Sequence, residues 1–165
     1  TTIAVATGHD VTLDWATNDF NSDDASDNRK VAITGRDVKI TDTDTLFLGR
    51  QTISGDLTVT AGGNIDDGDF LTVGGTTTIT GGGYVKFNNG PSGGVGSDYE
   101  GAVSIDADGE ITLKDQNDIE CARGLTSFSS IEIERIKGSH SSKIKNILGY
   151  SSREEIIHKD DLVKV

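Results

Sequence analysis

Short runs of alternating apolar and polar residues return along this chain at a nearly constant interval. Ile33, Ile53 and Val73 fall 20 apart, and Ile40, Val59 and Ile79 fall 19 and then 20 apart. Leu46, Ile65, Val85, Ile105 and Leu125 make a third file, and Ile111 and Leu113 return as Ile131 and Ile133. Within each run the period is two, which predicts a β-strand with one face turned inward. Between runs the interval is 19 to 20 residues, filled by Gly, Asp and Asn. Self-similarity of that length predicts a coiled stack of strands, each coil covering the apolar face of the one before it.

The phrases VAITG, DVKITD, TLFLG, QTISG, LTVTAG, FLTVGG, TTTITGG, YVKFNN, AVSIDA, EITLKD and IEIER supply the strands. The opening TTIAVATG and VTLDWA read as strands too, with Ile3, Val5, Val11 and Leu13 inward. Two polar stretches, 17–30 and 88–101, are expected to be loops let out from the stack. A longer echo pairs Val31 with Val103, Ile33 with Ile105, Ile40 with Leu113 and Asp42 with Asp115, an offset of 72 to 73 residues that suggests a superrepeat of four coils. The repeat ends near residue 138, which divides the chain into a body, 1–138, and a short C-terminal segment, 139–165. That segment carries Ile144, Ile147 and Leu148 at helical spacing and closes on the alternating DLVKV, so it is expected to be a cap or a connector. Six or seven coils at about 4.8 Å each would make a body about 30 Å long.

Composition agrees with thin coils. Hydrophobic residues are 33% and aromatics 5%, while Gly numbers 21 and Pro 1, so the chain turns often and rarely gives up a backbone donor. The net charge of −12 argues against nucleic acid and anionic membranes as partners. Residues 1–122 hold 7 basic and 21 acidic side chains, whereas 123–165 hold 8 and 6. Such asymmetry can steer the tail of one copy toward the body of another; equally, the acids can serve only to keep a repetitive β surface soluble. Cys121 stands alone, cannot form an internal disulfide, and reads as a small buried residue. No apolar run is long enough to span a bilayer, and a chain beginning at Thr1 is expected to be a mature or excised segment.

The phrases VTLDWATNDF, VAITGRDVKITDTDTLFLG, ISGDLTVTAGGNIDDGDFLTVGGTTTIT and AVSIDADGEITLKD resemble the repeats of filamentous-haemagglutinin-like bacterial adhesins, exoproteins secreted by the two-partner route. The resemblance covers roughly residues 9–122 and does not extend to 126–165. It implies an all-β, right-handed parallel β-helix (β-solenoid) that is exported and displayed or released outside the cell.

Candidate chemistry is sparse. GGVGSDYEG at 93–101 partly matches a calcium nonapeptide through Gly93, Gly94, Gly96 and Asp98, but Glu100 stands where an aliphatic is wanted and there is one copy. Asp23, Asp24 and Asp27, and Asp66, Asp67 and Asp69, are weak calcium candidates as clustered carboxylates; solvated loop charge is the plainer reading. No other cofactor is suggested. His9, His140 and His158 lie far apart and near no catalytic motif. A polysaccharide lyase or hydrolase would draw on Asp42 with Asp44 or Asp106 with Asp108, residues two apart on one strand face. Trp15, Phe20 and Tyr99, near or in the two loops, are the candidate contacts for a glycan or protein ligand.

Three functions follow. The first is an extracellular, non-enzymatic structural subunit that stacks head-to-tail on copies of itself into a surface or matrix filament. Its contacts are expected at Ile3 and Val5 in the first strand and at Leu162, Val163 and Val165 in the tail. The second is an adhesin shaft module that binds host or neighbour glycans or proteins through its loops. A carbohydrate-active enzyme is the weakest of the three.

Overall fold

The computed structural model describes residues 1–6, 8–20, 30–88 and 97–116, together with the backbone of 121–127, 131–135 and 156–158. Every strand pair is parallel, and the pairs run in three columns. The first column is a six-stranded sheet: β2 (Val11–Leu13), β4 (Val38–Asp42), β6 (Leu57–Ala61), β9 (Thr77–Gly81), β12 (Val103–Ala107) and β14 (Cys121–Ser127). The other two columns belong to one ten-stranded sheet joined through the long strand β5 (Leu46–Ile53). Leu46–Leu48 of β5 begin the second column, followed by β7 (Ile65–Asp67), β10 (Val85–Phe87), β13 (Ile111–Asp115), β15 (Ile131–Arg135) and β16 (Ile156–His158). Gln51–Ile53 of β5 sit in the third, between β3 (Val31–Gly35) and β8 (Leu71–Val73). That column starts at β1 (Thr2–Ala4) and ends at β11 (Asp98–Tyr99). The protein is therefore all-β, with parallel strands in stacked sheets and no helix among the described residues. This arrangement is compatible with a β-solenoid.

Register explains why these residues make these strands. Val38, Ile40 and Asp42 pair with Leu57, Val59 and Ala61, an offset of 19, and those pair with Thr77, Ile79 and Gly81, an offset of 20. Leu46, Ile65 and Val85 keep the same intervals in the second column. Strict alternation puts Val, Ile and Leu inside, where 23 hydrophobic side chains among the described residues are buried as one core. Each fully buried aliphatic side chain contributes about 1.5–3 kcal/mol, so a coil needs only a few of them.

Two of the predicted files change course. Val85 pairs with Ile111, an offset of 26, because the stretch around 88–101 lengthens that coil by six residues; Ile105 joins Ile79 and Leu125 in the first column instead. Ile53 does align with Val73, but Ile33 sits opposite Gln51. The pairing slips between Val31 and Ile33, so that Ala32 faces both Gly49 and Arg50. The proposed superrepeat also fails residue by residue. Val31 lies in the third column and Val103 in the first, while Ile40 lies in the first and Leu113 in the second. The stretch 17–30 precedes β3 of the third column, whereas β11 of the same column lies within 88–101, so that stretch is not wholly a loop.

The corners are held by backbone and glycine. Gly8, in the left-handed region at φ 84°, turns the chain from β1 to β2. Gly62 and Gly82 stack at one corner, where Gly82 N–H donates to Ala61 O at 3.0 Å and Gly62 N–H to Asp42 O at 3.2 Å. A Cβ on Gly82 would collide with the Gly62 carbonyl, and one on Gly62 with that of Thr43. Backbone cannot yield as a flexible side chain does. Gly82→Ala is expected to cost about 2 kcal/mol or more, in the range of strain from overpacking, measured as a lower thermal midpoint.

Candidate functional site

Among the described residues, β1 and β2 form the first rung of their columns, β1 paired with β3 and β2 with β4. Val5 N–H donates to Thr34 O at 3.1 Å and Ala32 N–H to Thr1 O at 2.9 Å. The terminal ammonium of Thr1 donates to Lys30 O at 2.7 Å. Residues 1, 3 and 5 thus turn their backbone groups toward β3. By alternation, those of Thr2 and Ala4 point the other way. In β2, Val11 N–H donates to Asp37 O at 2.8 Å, which leaves the groups of Thr12 on the outer edge. Thr2, Ala4 and Thr12 are exposed, whereas Ile3, Val5 and Leu13 are half-buried and pack on the core from its end. Among the described residues the rung thus sets outward-facing backbone groups beside half-covered aliphatics. At the far end, β16 adds to β15, so part of the 139–165 segment continues the second column. Leu162, Val163 and Val165 lie outside the described residues.

Polar side chains brace the rungs at their corners. Asp37 Oδ1 accepts from Asp56 N–H at 3.0 Å, and Asp56 Oδ1 accepts from the Thr76 N–H at 2.8 Å and hydroxyl at 3.0 Å. One coil earlier, Asp10 Oδ1 accepts from Asp37 N–H at 3.3 Å. Arg36 grips Asp10 with two bonds of 2.8 Å, and this guanidinium holds the Asp10 carboxyl below its ordinary value. Asn64 Oδ1 does the same work at the next corner, accepting from Tyr84 N–H at 3.0 Å. The sequence signal was available: Asp37, Asp56 and Thr76 fall 19 and 20 apart, the interval of the apolar files. Gln51, buried at the slip in β5, had no such signal.

The carboxylates read as calcium candidates do not converge. Adjacent residues of a strand face opposite ways, so Asp67 is buried in the core while Asp66 lies outward beside Tyr84. Asp67 Oδ1 accepts from Asn88 N–H at 3.1 Å, and Asp69 meets Arg50 at 3.7 Å. Among the described residues no three His, Cys, Asp or Glu side chains gather to hold a metal. Asp98 faces outward on β11; Asp23, Asp24 and Asp27 lie outside the described residues. Asp42, a candidate for glycosidic chemistry, is buried and accepts from Phe20 N–H at 3.0 Å and Asp44 N–H at 3.1 Å, which makes it a brace.

Of the aromatic candidates, Trp15 is 77% exposed and Phe20 packs part-buried on the core. Tyr99 must be corrected: it is 2% exposed, pairs with Val73, and fills the core rather than a binding surface. Burial pushes its phenol well above the ordinary value, and the nearby Asp67 adds to the shift. Trp15, Phe20 and Tyr99 therefore form no common patch.

Asp66 carries a pH dependence of its own. Burial raises its carboxyl above the usual carboxylate value, against the opposing pull of the Asp67 backbone N–H and Lys86. A folded-state pKa above the unfolded one contributes stability below the ordinary carboxylate pH, and that contribution is lost as pH rises through the raised value. Asp66→Asn is expected to remove this slope. The difference in urea midpoint between pH 3 and pH 7 should shift in favour of pH 7 relative to the parent.

Comparison with known proteins gives partial likenesses. Residues 35–92, from the end of β3 to just beyond β10, match a family described as repeats of unknown function (DUF5649). A stretch of 55 residues is 53% identical to glutamate 5-kinase of Pelagibacter ubique, covering 33% of this chain and 15% of the kinase. Glutamate 5-kinase of Microcystis aeruginosa is 51% identical over 53 residues, 32% of this chain and 14% of that protein. The chain thus spans a small fraction of the relatives it matches. No solved structure matches the chain.

Proposed function

We propose that the chain is a right-handed β-solenoid segment that stacks head-to-tail on copies of itself into a filament displayed or released outside the cell, in the manner of filamentous-haemagglutinin-like adhesins. The observation that supports this reading is the first rung of the described residues, where the outward backbone groups of Thr2, Ala4 and Thr12 accompany the half-buried Ile3, Val5 and Leu13. A parallel edge of that kind is completed by another parallel strand. A contact between one end and the other is heterologous and does not close, so it propagates. The acidic body and mildly basic tail favour the same head-to-tail polarity. The 19–20-residue coil is the repeating unit, and the C-terminal segment is the connector. Negative-stain electron microscopy of the purified chain tests it. Long fibres whose axial repeat equals one subunit's stack height are expected; dispersed short rods at all concentrations would overturn it.

A second reading is favoured by the identity with glutamate 5-kinases: the shared stretch does here whatever accessory work it does there. It amounts to 15% of the kinase from Pelagibacter ubique, so glutamate 5-kinase activity is not expected to travel with it. An assay of ATP-dependent glutamate phosphorylation should read at background, and turnover would displace the filament reading.

A further inference from the structure

We propose that the outer surface of the second column binds an uncharged polysaccharide, laid along the stack across β5, β7 and β10. The observation is an asymmetry among the three columns. Outward positions of the first carry threonine, serine, lysine and aspartate, and those of the third carry threonine, alanine and aspartate. Among the described residues, the exposed Trp15 lies just beyond β2 of the first column, and the remaining partly exposed rings other than Phe20 gather on or beside the second column. Phe47 projects outward from β5, Tyr84 stands at the border where β10 begins, and Phe70 stands at the opposite border, just before β8. All three are half-exposed rather than buried like Phe87 and Tyr99.

The rings are set among charged side chains that are already matched. Arg50 lies over the Phe70 ring at 4.2 Å and reaches Asp69 at 3.7 Å. Lys86 lies over the Tyr84 ring at 4.6 Å and meets Glu110 at 3.5 Å, while the Tyr84 hydroxyl donates to Asp66 at 3.5 Å. Phe47, Asp66 and Lys86 occupy one register line, so ring, acid and base succeed one another along the axis at about 4.8 Å per coil. A protein partner would ask for a contiguous apolar patch, and these rings are kept apart by ion pairs. A pyranose asks for this arrangement: its C–H face stacks on an isolated ring while its rim hydroxyls bond to carboxylates, ammonium and guanidinium alongside. Because Asp69, Asp66 and Glu110 oppose Arg50 and Lys86, no surplus positive charge remains to select a uronate or sulfate. The long cationic side chains rest on the rings when the surface is empty and swing aside to reach hydroxyls when a sugar takes their place.

The proposal does not depend on polymerisation, and its test uses the whole chain. In native gels cast with laminarin, dextran or alginate, mobility is expected to fall in at least one of the two neutral glucans and not in alginate. Phe47→Ala combined with Tyr84→Ala should weaken the apparent affinity at least tenfold, with far-UV circular dichroism and the urea midpoint confirming the fold. Phe70→Ala serves as a second probe should the double variant fail to fold, and Thr60→Ala with Thr80→Ala, on the first column, should bind like the parent. Absence of retardation by both neutral glucans, retardation by alginate alone, or equal retardation of the ring variants would each overturn the proposal.

Discussion

Gln51→Leu is expected to lose about 3–5 kcal/mol of stability, the largest effect of any single buried substitution considered for this fold. The side chain is 1% exposed and repairs the slip between β3 and β5. Its Nε2 donates to Val31 O at 2.6 Å and to Gly49 O at 3.1 Å, and its Oε1 accepts from Ile33 N–H at 3.1 Å. These are backbone groups that an unslipped ladder would have satisfied. Leucine has a similar volume but no polar atoms, so it leaves one buried donor and two acceptors without this partner. Each buried group stranded in that way costs about 1–3 kcal/mol. Removing one methylene nearby, as in Ile53→Val, should cost only about 1 kcal/mol. Since whole domains are stable by about 5–15 kcal/mol, Gln51→Leu removes a large share of the margin. Urea unfolding reads this as a fall in midpoint at unchanged slope. Gln51→Glu separates hydrogen bonding from shape. At pH 7 its carboxylate would face two carbonyl oxygens and destabilise the fold; at acid pH the protonated form donates again, so part of the loss should return.

That same slip marks the limit of what hydrophobic spacing discloses. The alignment of Ile40 with Val59 and Ile79 was legible because nothing interrupts the 19- and 20-residue intervals between β4, β6 and β9. Ile33 was misaligned because a bulge changes the count by one residue while leaving the alternation intact on either side. The spacing leads from Val85 to Ile105 rather than Ile111 for a related reason: six added residues shift the phase by part of a coil, and a periodicity does not say which residues are the addition. Tyr99 follows a glycine-rich stretch and so read as surface; pairing of β11 with β8 sets it over Val73 and turns it inward. Asp66, Asp67 and Asp69 are neighbours in sequence but are divided between the two faces of a strand and the following turn, so linear clustering overstated their proximity. Ile3 and Val5, read from the sequence as subunit contacts, pack half-buried against the core, and their contact with a second copy belongs to the proposal. The direction of the outward backbone groups is not legible in the sequence, since it follows from which residues bond β3.

Thr2→Pro with Ala4→Pro is expected to leave the fold intact and raise the critical concentration for filament growth at least thirtyfold. Proline carries no N–H, and in the interior of a sheet it would remove a ladder bond. At residues 2 and 4 the groups that face β3 are not involved: Val5 N–H and Thr1 O make the bonds on that side, and the alternation turns the groups of residues 2 and 4 away from β3. Proline is tolerated at such positions of an edge strand, and it holds the preceding residue in extended backbone, which a strand requires. The only bonds deleted are those an incoming strand would make. Two lost hydrogen bonds at about 1 kcal/mol each, together with the rings standing in the path of the added strand, should weaken each subunit contact at least thirtyfold. The critical concentration for fibres would rise by the same factor, read by sedimentation or light scattering, while the urea midpoint of the monomer stays within about 0.5 kcal/mol of the parent. Pro substitution at Thr1 or Ile3 is the opposite case, since those residues turn toward β3; Ile3→Pro should unseat β1 itself. If fibres of the Thr2/Ala4 variant grew as readily as the parent's, strand addition at this rung would be the wrong contact, and growth would have to proceed through a surface other than the first rung.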